Sequence, residues 1–274
     1  MPLVLRLKQP TSIPLEVDTV RLETLRGQST DEVRHTAIQY GNTQAPLGEF
    51  FDVAGSAADS TLIWEGDCSR VKLIGAHLEV GTIRVEGNAG MHLGAGMRGG
   101  AILVSGNADD WVGAEMHGGR IHIRGNAGDL VGAVYRGGRR GMTGGEILVD
   151  GKAGSEIGHT MRRGLIAIGG RAGDAVGFNL IAGSILVFGA VGVRPGAGMK
   201  RGTIGLLGTP TPPKLLPTFK FADVSRPVFL RFYLRRLREM GFFVPDECFH
   251  CDYRRYCGDF LELGKGEILL RASV

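Results

Sequence analysis

The chain has 274 residues, of which 45 are glycine and 11 are proline, and its formal net charge is +4. Glycine is far above its usual share of about 7%, yet it does not recur at every third position, which excludes collagen. The sequence shows no apolar run of roughly 18 residues, no signal peptide and only four cysteines, which excludes a membrane-spanning helix and a disulfide scaffold, so we expect a soluble cytoplasmic protein.

The first 60 residues are predicted to form an N-terminal cap. The segments LVLRLK and IPLEV alternate between apolar and other side chains, as in strands that bury one face. We expect them to pair onto the first row of the repeat that follows, because an open end of a repeat exposes unpaired strands and core.

A repeat of about 20 residues occupies the middle of the chain. Successive rows are 19 residues apart, except for one step of 26, and they begin at Thr82, Ala101, Arg120, Glu146, Leu165, Ser184 and Thr203. The alignment of the rows places a seven-residue insertion at 139–145. A fixed period of this length with strand-like segments indicates a solenoid.

Each row has the same internal pattern, numbered here from its first residue. Position 2 is always isoleucine, position 4 is always aliphatic, and glycine recurs at positions 6, 13 and 19, which predicts three corners. We therefore predict an all-β fold: a right-handed parallel β-helix of about seven rungs over residues 61–208. A period of 19 does not fit a left-handed hexapeptide helix, and the calcium-binding nonapeptide pattern is absent.

A basic stripe is predicted along one corner of the solenoid. Position 17 reads Arg98, His117, Arg136, Arg162, Ile181 and Lys200. Further cations lie beside it at Arg163 and Arg201, and in the insertion at Arg139 and Arg140. Stacked cations repel each other, so they either splay into solvent or meet an acidic partner. The sequence leaves both interpretations open.

Residues 209–274 are predicted to form a C-terminal cap. The segment TPTPPKLLP reads as a proline-rich exit, and a helix is predicted at about 226–240. Phe229, Phe232, Leu237 and Met240 are placed on its apolar side, with arginines mostly on the other side. This helix either covers the core or faces a partner subunit.

No catalytic constellation is predicted. The histidines are scattered, and Asp110, Asp129 and Asp174 occupy position 10 of separate rows, an interrupted ladder rather than an acid–base pair. This disfavours a stand-alone polysaccharide-active enzyme, which remains an alternative. Cys248, Cys251 and Cys257 are weak candidates for a metal site, with remote Cys68 as a fourth ligand, but buried thiols are favoured.

The glycine turns resemble the repeat domain at the C-terminal end of the large subunit of glutamate synthase. Two further segments, GNTQAPLGEFFDVAG (41–55) and GDFLELGKGEIL (258–269), are similar to the entry and the ending of the C subunit of formylmethanofuran dehydrogenase. The chain is thus identified as resembling that family, and its arginine-rich composition favours the bacterial branch, which belongs to formyltransferase/hydrolase complexes of methylotrophs.

The resemblance implies a non-catalytic scaffold subunit. Such a complex moves a formyl group from formyl-tetrahydromethanopterin to methylofuran and releases formate. The implied partners are a zinc amidohydrolase-like subunit, a formyltransferase subunit and a polyglutamylated furan coenzyme, whose tail we expect on the basic stripe. No metal is expected in this chain, and nucleic acid and membrane are not expected as partners. The alternative within the family is the C subunit of a molybdenum or tungsten formylmethanofuran dehydrogenase.

Overall fold

The computed structural model describes residues 1–208 and 213–272, so part of the predicted proline-rich exit lies outside the described residues. The N-terminal part is made of short elements. These are β1 (Leu3–Leu7), β2 (Leu15–Glu16), α1 (Leu22–Leu25), α2 (Thr30–Arg34), β3 (Ala37–Tyr40), β4 (Thr43–Pro46), α3 (Leu47–Phe50), β5 (Phe51–Ala54), a 3-10 turn (Ala57–Asp59), β6 (Thr61–Glu65) and β7 (Val71–Lys72).

Each predicted row begins with a strand. The row strands are β8 (Thr82–Glu86), β9 (Ala101–Val104), β10 (Arg120–Ile123), β11 (Glu146–Val149), β12 (Leu165–Ile168), β13 (Ser184–Val187) and β14 (Arg201–Leu206). The C-terminal part contains β15 (Lys220–Ser225), α4 (Val228–Glu239), α5 (Glu247–His250), β16 (Tyr253–Gly258) and β17 (Lys265–Arg271). The prediction of an all-β class is confirmed.

The row strands form one parallel ladder. Position 1 of each row pairs with position 1 of the next, as in Thr82 with Ala101 and Arg120 with Glu146. Within the described residues the sheet has thirteen strands, in the order β15-β16-β17-β14-β13-β12-β11-β10-β9-β8-β6-β1-β5. Because each pair keeps the same register, equal positions of successive rows stack above one another.

Two faces of this ladder are buried, in two separate clusters. The isoleucines at position 2 and the aliphatic residues at position 4 point into the main core. A column of side chains that are not branched at Cβ packs against them at position 16 with no exposed surface: Met97, Met116, Met142, Met161, Leu180 and Met199. Position 3 points to the opposite face, where Leu148, Ala167 and Leu186 belong to the second cluster.

The recurring glycines have two different causes. Gly158, at position 13, has φ +69°, and a Cβ there would lie 2.5 Å from Cδ1 of Ile185, so it meets both a left-handed backbone and a filled core. Gly106, at position 6, lacks a positive φ, but its Cβ would lie 2.6 Å from the carbonyl oxygen of Gly87. Apart from Gly87, whose φ is +144°, position 6 is thus a close approach between rows, and both causes expected for the corner glycines, a positive φ or a close backbone approach, are present.

The inserted residues are 135–141, not 139–145. The amide of Met142 donates to the carbonyl of Gly132 at 2.9 Å, as Met97 does to Gly94 at 3.2 Å in an uninterrupted row. Met142 therefore resumes position 16, and Thr143 rather than Arg136 takes position 17. We call residues 135–141 the insert loop.

The first strands extend the ladder beyond β8. β6 pairs in parallel with β8 and with β1, and β1 pairs antiparallel with β5 at the sheet edge. The segment IPLEV instead supplies β2 to a four-stranded sheet of order β4-β3-β2-β7. The N-terminal residues thus continue the stack, as expected, and the domain bounds 1–60, 61–208 and 209–274 stay a prediction.

The C-terminal residues continue the other end of the ladder. β17 pairs in parallel with β14, and β16 pairs antiparallel with β17. Helix α4 packs its buried residues Leu230, Leu234 and Leu237 on the position 3 side of the sheet, so it covers a side of the stack rather than its core. Its predicted apolar side is wrong in part, because Phe229 and Phe232 are exposed. No helix among the described residues is long and apolar enough to cross a membrane.

Candidate functional site

The corner at position 17 is held by a regular set of backbone hydrogen bonds. The amide of each residue donates to the position 16 carbonyl of the preceding row at 2.7–2.8 Å, from Arg98 to Leu78, His117 to Met97, Thr143 to Met116, Arg162 to Met142, Ile181 to Met161 and Lys200 to Leu180. Rows in such a ladder lie about 4.8 Å apart. Position 17 therefore forms a stacked column along one corner, with Thr143 in place of Arg136. We call six predicted residues in or beside this column the basic corner: His117, Arg140, Arg162, Arg163, Lys200 and Arg201.

Two adjoining grooves run along this corner. The loop-side groove, of about 500 Å³, is lined by Glu115, His117, Arg140, Thr143, Arg162 and Arg163. The tail-side groove, of about 590 Å³, is lined mainly by Arg162, Arg163, Ile181, Lys200, Arg201, Tyr233 and Leu263. Because Arg162 and Arg163 line both, the grooves form one continuous cationic surface with apolar side chains at its tail end.

Three predicted cations lie outside these two grooves. Arg98 lines a separate groove with Arg21, Glu23 and Glu79, among carboxylates of the N-terminal part. Arg136 and Arg139 are exposed on the insert loop and line neither groove. The structure thus brings together six of the nine predicted residues: His117, Arg140, Arg162, Arg163, Lys200 and Arg201.

The arginines of the two grooves have no ion-pair partner within the described parts of the chain. The ammonium of Lys200 lies 3.9 Å from a carboxylate oxygen of Glu262, a weak contact between half-exposed groups. Nδ1 of His117 hydrogen-bonds the hydroxyl of Thr143 at 2.7 Å. Guanidinium groups pair well with carboxylates in a two-pronged geometry. The arrangement suits an extended ligand that carries several carboxylates.

The insert loop is fixed by an aromatic stack that the sequence analysis missed. Tyr135 stacks on Trp111 with ring centroids 5.0 Å apart, and Trp111 stacks on His92 at 6.2 Å. Burial lowers the pKa of His92, and nearby Lys72 lowers it further. Nδ1 of His92 and the Tyr135 hydroxyl share a 2.9 Å hydrogen bond, and the pKa of Tyr135 is raised to about 12 by burial and then by Glu115. The shared position 11 of His92 and Trp111 was the available signal.

The acidic ladder at position 10 has a structural function. A carboxylate oxygen of Asp110 accepts the amide of Asp129 at 2.7 Å, and one of Asp129 accepts the amide of Ser155 at 2.6 Å. Asp174 accepts the amide of Val193 at 2.9 Å. Each carboxylate thus binds a backbone N–H of the next row, which gives no support to an acid–base pair for polysaccharide cleavage.

The cysteines do not converge on one site. The backbone of Cys68 pairs with that of Ala89 in an isolated parallel β-bridge near the start of the repeat, whereas Cys257 lies in β16 beyond the last row. Cys248 is buried, which raises the pKa of its thiol. Over residues 1–208 and 213–272, no three His, Cys, Asp or Glu side chains are grouped as a metal site.

One buried histidine belongs to a network outside the corner. Nε2 of His122 lies 2.9 Å from Oδ1 of Asp150, and Arg124 donates to Oδ2 of Asp150 at 2.9 Å and to the carbonyl of Gly241 at 3.2 Å. Partial burial raises the pKa of Asp150, but the hydrogen bonds from His122 and Arg124 outweigh it, and the pKa is lowered overall. The network joins Gly241, which follows α4, to the rows that begin at Arg120 and Glu146.

The fold and this corner place the chain in a class of β proteins built from glycine-containing repeats. Comparisons with known proteins show which family within that class the chain belongs to. The model of the GXGXG motif family matches residues 70–211, more than half of the chain. A chain of the formyltransferase/hydrolase complex from Methylorubrum extorquens, solved in complex with methylofuran, is 35% identical and has a TM-score of 0.89. This similarity covers 98% of the present chain and 100% of that chain.

Curated relatives match over a shorter segment. The C subunit of the molybdenum-containing formylmethanofuran dehydrogenase 1 of Methanothermobacter marburgensis is 47% identical over 95 residues, which are 34% of this chain and 24% of that protein. The C subunit of the tungsten-containing formylmethanofuran dehydrogenase 2 of Methanothermobacter thermautotrophicus is 41% identical over 96 residues, 34% of this chain and 36% of that protein. The chain belongs to the family of formylmethanofuran dehydrogenase C subunits.

Proposed function

We propose that this chain is a non-catalytic scaffold subunit of a formyltransferase/hydrolase complex. The complex would move a formyl group from formyl-tetrahydromethanopterin to methylofuran and release formate in one-carbon oxidation. The observation that carries this proposal is the similarity over the whole length to a chain of the Methylorubrum extorquens complex. The proposed partners are a zinc amidohydrolase-like subunit and a formyltransferase subunit, and the proposed location is the cytoplasm.

The proposal includes a binding site for the coenzyme on the basic corner. The related complex was solved with methylofuran, and the glutamyl chain that the resemblance implies for this coenzyme carries one carboxylate per residue. Arg140, Arg162, Arg163 and Arg201 face two joined grooves without a carboxylate partner within the described residues. A polyanionic tail bound there would hold the coenzyme to the scaffold while its other end reaches active sites on sister subunits.

For the architecture, we infer that the stacked rows wind as the right-handed parallel β-helix that the row pattern predicts. Support comes from backbone hydrogen bonds that join each row to its neighbour at several places. Between the rows that begin at Thr82 and Ala101, for example, the amide of Gly106 donates to Gly87 at 2.9 Å and that of Gly113 to Leu93 at 2.8 Å. A continuous coil of this kind offers a rigid side to several partners at once.

The alternative function is that of the C subunit of a molybdenum or tungsten formylmethanofuran dehydrogenase. The 47% and 41% identities to such subunits favour it locally, but they span about a third of this chain. Purification of the complex from its native host through a tag on this chain decides between the two. We expect the complex to transfer the formyl group and release formate without an electron acceptor, whereas oxidation of the formyl group to CO2, with two electrons passed to an added acceptor, would favour the dehydrogenase.

A further inference from the structure

Helix α4 has two apolar faces, and the fold uses only one of them. Leu230, Leu234 and Leu237 are buried against the position 3 side of the sheet, with spacings of four and three residues. This face fixes the helix on the stack. The remaining residues of α4 lie on other sides of the helix, because only side chains three or four residues apart share one face.

The outward side carries a second stripe. Val228, Arg231, Phe232 and Arg235 follow one another at i, i+3, i+4 and i+7, which places them on one face. Val228 is 67% exposed and Phe232 is 65% exposed, and both arginines are exposed as well. We call these four residues the outer stripe. Exposed valine and phenylalanine at these spacings are typical of a helix that docks into a groove.

The arginines of α4 divide in the same way. Arg236 pairs with Glu146 at 3.2 Å, and Arg238 contacts Asp246 and stacks over the ring of Phe249, so both serve the fold. Arg231 and Arg235 form no ion pair with any residue in 1–208 or 213–272. Two exposed apolar side chains therefore lie beside two cations whose charge nothing in the described structure balances.

We propose that the outer stripe is the face by which this chain docks to a sister subunit, and that the partner presents an apolar groove bordered by carboxylates. The proposal rests on the scaffold function proposed above and adds the surface and its complement. Phe232 would be the central anchor, since large aromatic side chains contribute most to such interfaces. Arg231 and Arg235 would select an acidic rim and speed association. The stripe lies on the helix itself, away from the buried leucines, so its exchange leaves the core intact.

Two double variants test the two halves of the stripe. Val228→Ser/Phe232→Ser removes the apolar anchors, and Arg231→Glu/Arg235→Glu reverses the charge. The matched control is Leu261→Ser, which changes a side chain that is 82% exposed between β16 and β17. We expect all three proteins to unfold at the wild-type temperature, because none of the changed side chains is buried.

The measurement is the amount of sister subunits recovered with the tagged full-length chain from its native host. We expect both double variants to recover about tenfold less than the wild type and the control. A photoreactive phenylalanine analogue at position 232 identifies the contact, and we expect it to cross-link to a segment of a sister subunit with flanking Asp or Glu residues.

Other results of these experiments would overturn either the docking proposal alone or the scaffold function as well. Recovery of sister subunits by both double variants at the wild-type level overturns this proposal alone, and so does a cross-link between two copies of this chain. Failure of the wild-type chain to recover any sister subunit overturns the scaffold function and this proposal with it.

Discussion

The hydroxyl of Tyr135 lies 2.9 Å from Nδ1 of His92, although 43 residues separate the two in the sequence. The contact joins the insert loop to a row two turns away and closes the stack with Trp111. Because Arg140 leaves this loop into the loop-side groove, the stack positions part of the basic corner. A loop with six neighbouring glycine and arginine residues is thereby fixed from one end.

Loss of the Tyr135 ring should free the insert loop. Tyr135→Ala removes both the stack and the hydrogen bond, whereas Tyr135→Phe removes the hydrogen bond only. We expect trypsin to cleave after Arg136, Arg139 or Arg140 several-fold faster in the alanine variant, with the phenylalanine variant in between, because these sites are exposed and only local opening limits cleavage. Equal cleavage rates in the alanine variant and the wild type would contradict the anchoring function.

The same contact predicts a pH dependence. The pKa of His92 is lowered in the fold from 6.5, so the folded state favours the neutral ring. Its contribution to the free energy of unfolding is therefore complete above about pH 6.5 and decreases as the pH falls through the lower folded-state value. We expect the stability difference between wild type and His92→Phe to shift against the wild type between pH 7.5 and pH 5, measured by urea unfolding. A pH-independent difference would show that His92 does not titrate differently on folding.

The basic corner should bind oligoglutamate through specific arginines. We expect Arg140→Glu/Arg162→Glu/Arg163→Glu to raise the Kd for a fluorescent oligoglutamate about tenfold or more. The variant reverses the charge of Arg162 and Arg163, which line both grooves, and of Arg140, which lines the loop-side groove. Arg136→Glu/Arg139→Glu should have a smaller effect, since these side chains lie outside the grooves.

The control for the corner is Arg171→Glu, an exposed arginine at position 7 of its row, which should leave the Kd unchanged. Fluorescence anisotropy at several salt concentrations measures the binding, and wild-type affinity should fall as salt rises. A Kd that is the same in the triple variant, or independent of salt, would contradict a binding site on this corner.

Position 13 should tolerate no side chain. Gly158→Ala places a methyl group 2.5 Å from Ile185 at φ +69°, so we expect a loss of about 2–4 kcal/mol in the free energy of unfolding. Gly137→Ala is the matched control, because its φ is +83° but no atom lies within 4 Å of the new methyl group. It should cost about 1 kcal/mol from backbone strain alone. Similar losses for the two variants in urea unfolding would contradict the packing argument.

The network around Asp150 should stabilise the fold above acidic pH. Asp150→Ala leaves buried His122 without its partner, so we expect a loss of about 1–3 kcal/mol at pH 7. Since the folded-state pKa of Asp150 is lowered from 3.8, its contribution is present above that value and is lost as the pH falls through the folded-state pKa. Glu86→Ala, which breaks the exposed pair with Arg84, should change stability by about 0.5 kcal/mol or less.

The row period was sufficient to predict which side chains enter the core. Position 2 and position 4 residues are buried along the ladder because period-2 alternation and stacking leave no other arrangement. The insertion was harder to place, because the glycine pair at 137–138 imitates the pair that ends a row at 144–145. The backbone hydrogen bonds from Met142 to Gly132 and from Thr143 to Met116 separate the two alignments.

The orientation of α4 depended on tertiary contacts. Its sequence contains one stripe of leucines and another with Phe229 and Phe232, and both are apolar enough to be buried. Leu148 and Leu186 at position 3 select the leucine stripe, since they form the surface on which the helix lies. Apolar residues at position 3 of successive rows were the sequence signal for that covered side.

The constant register of the rows gives the basic corner a fixed spacing along its length. Equal positions of successive rows lie about 4.8 Å apart, so His117, Arg162 and Lys200, which occupy every second row at position 17, lie roughly 10 Å apart, about the length of three residues of an extended peptide at about 3.3 Å each. Removal of one complete 19-residue row would shorten the corner by one interval and leave every other position in phase. The length of anionic chain that such a corner can accompany is therefore counted in rows, and proteins with more or fewer rows would measure longer or shorter tails.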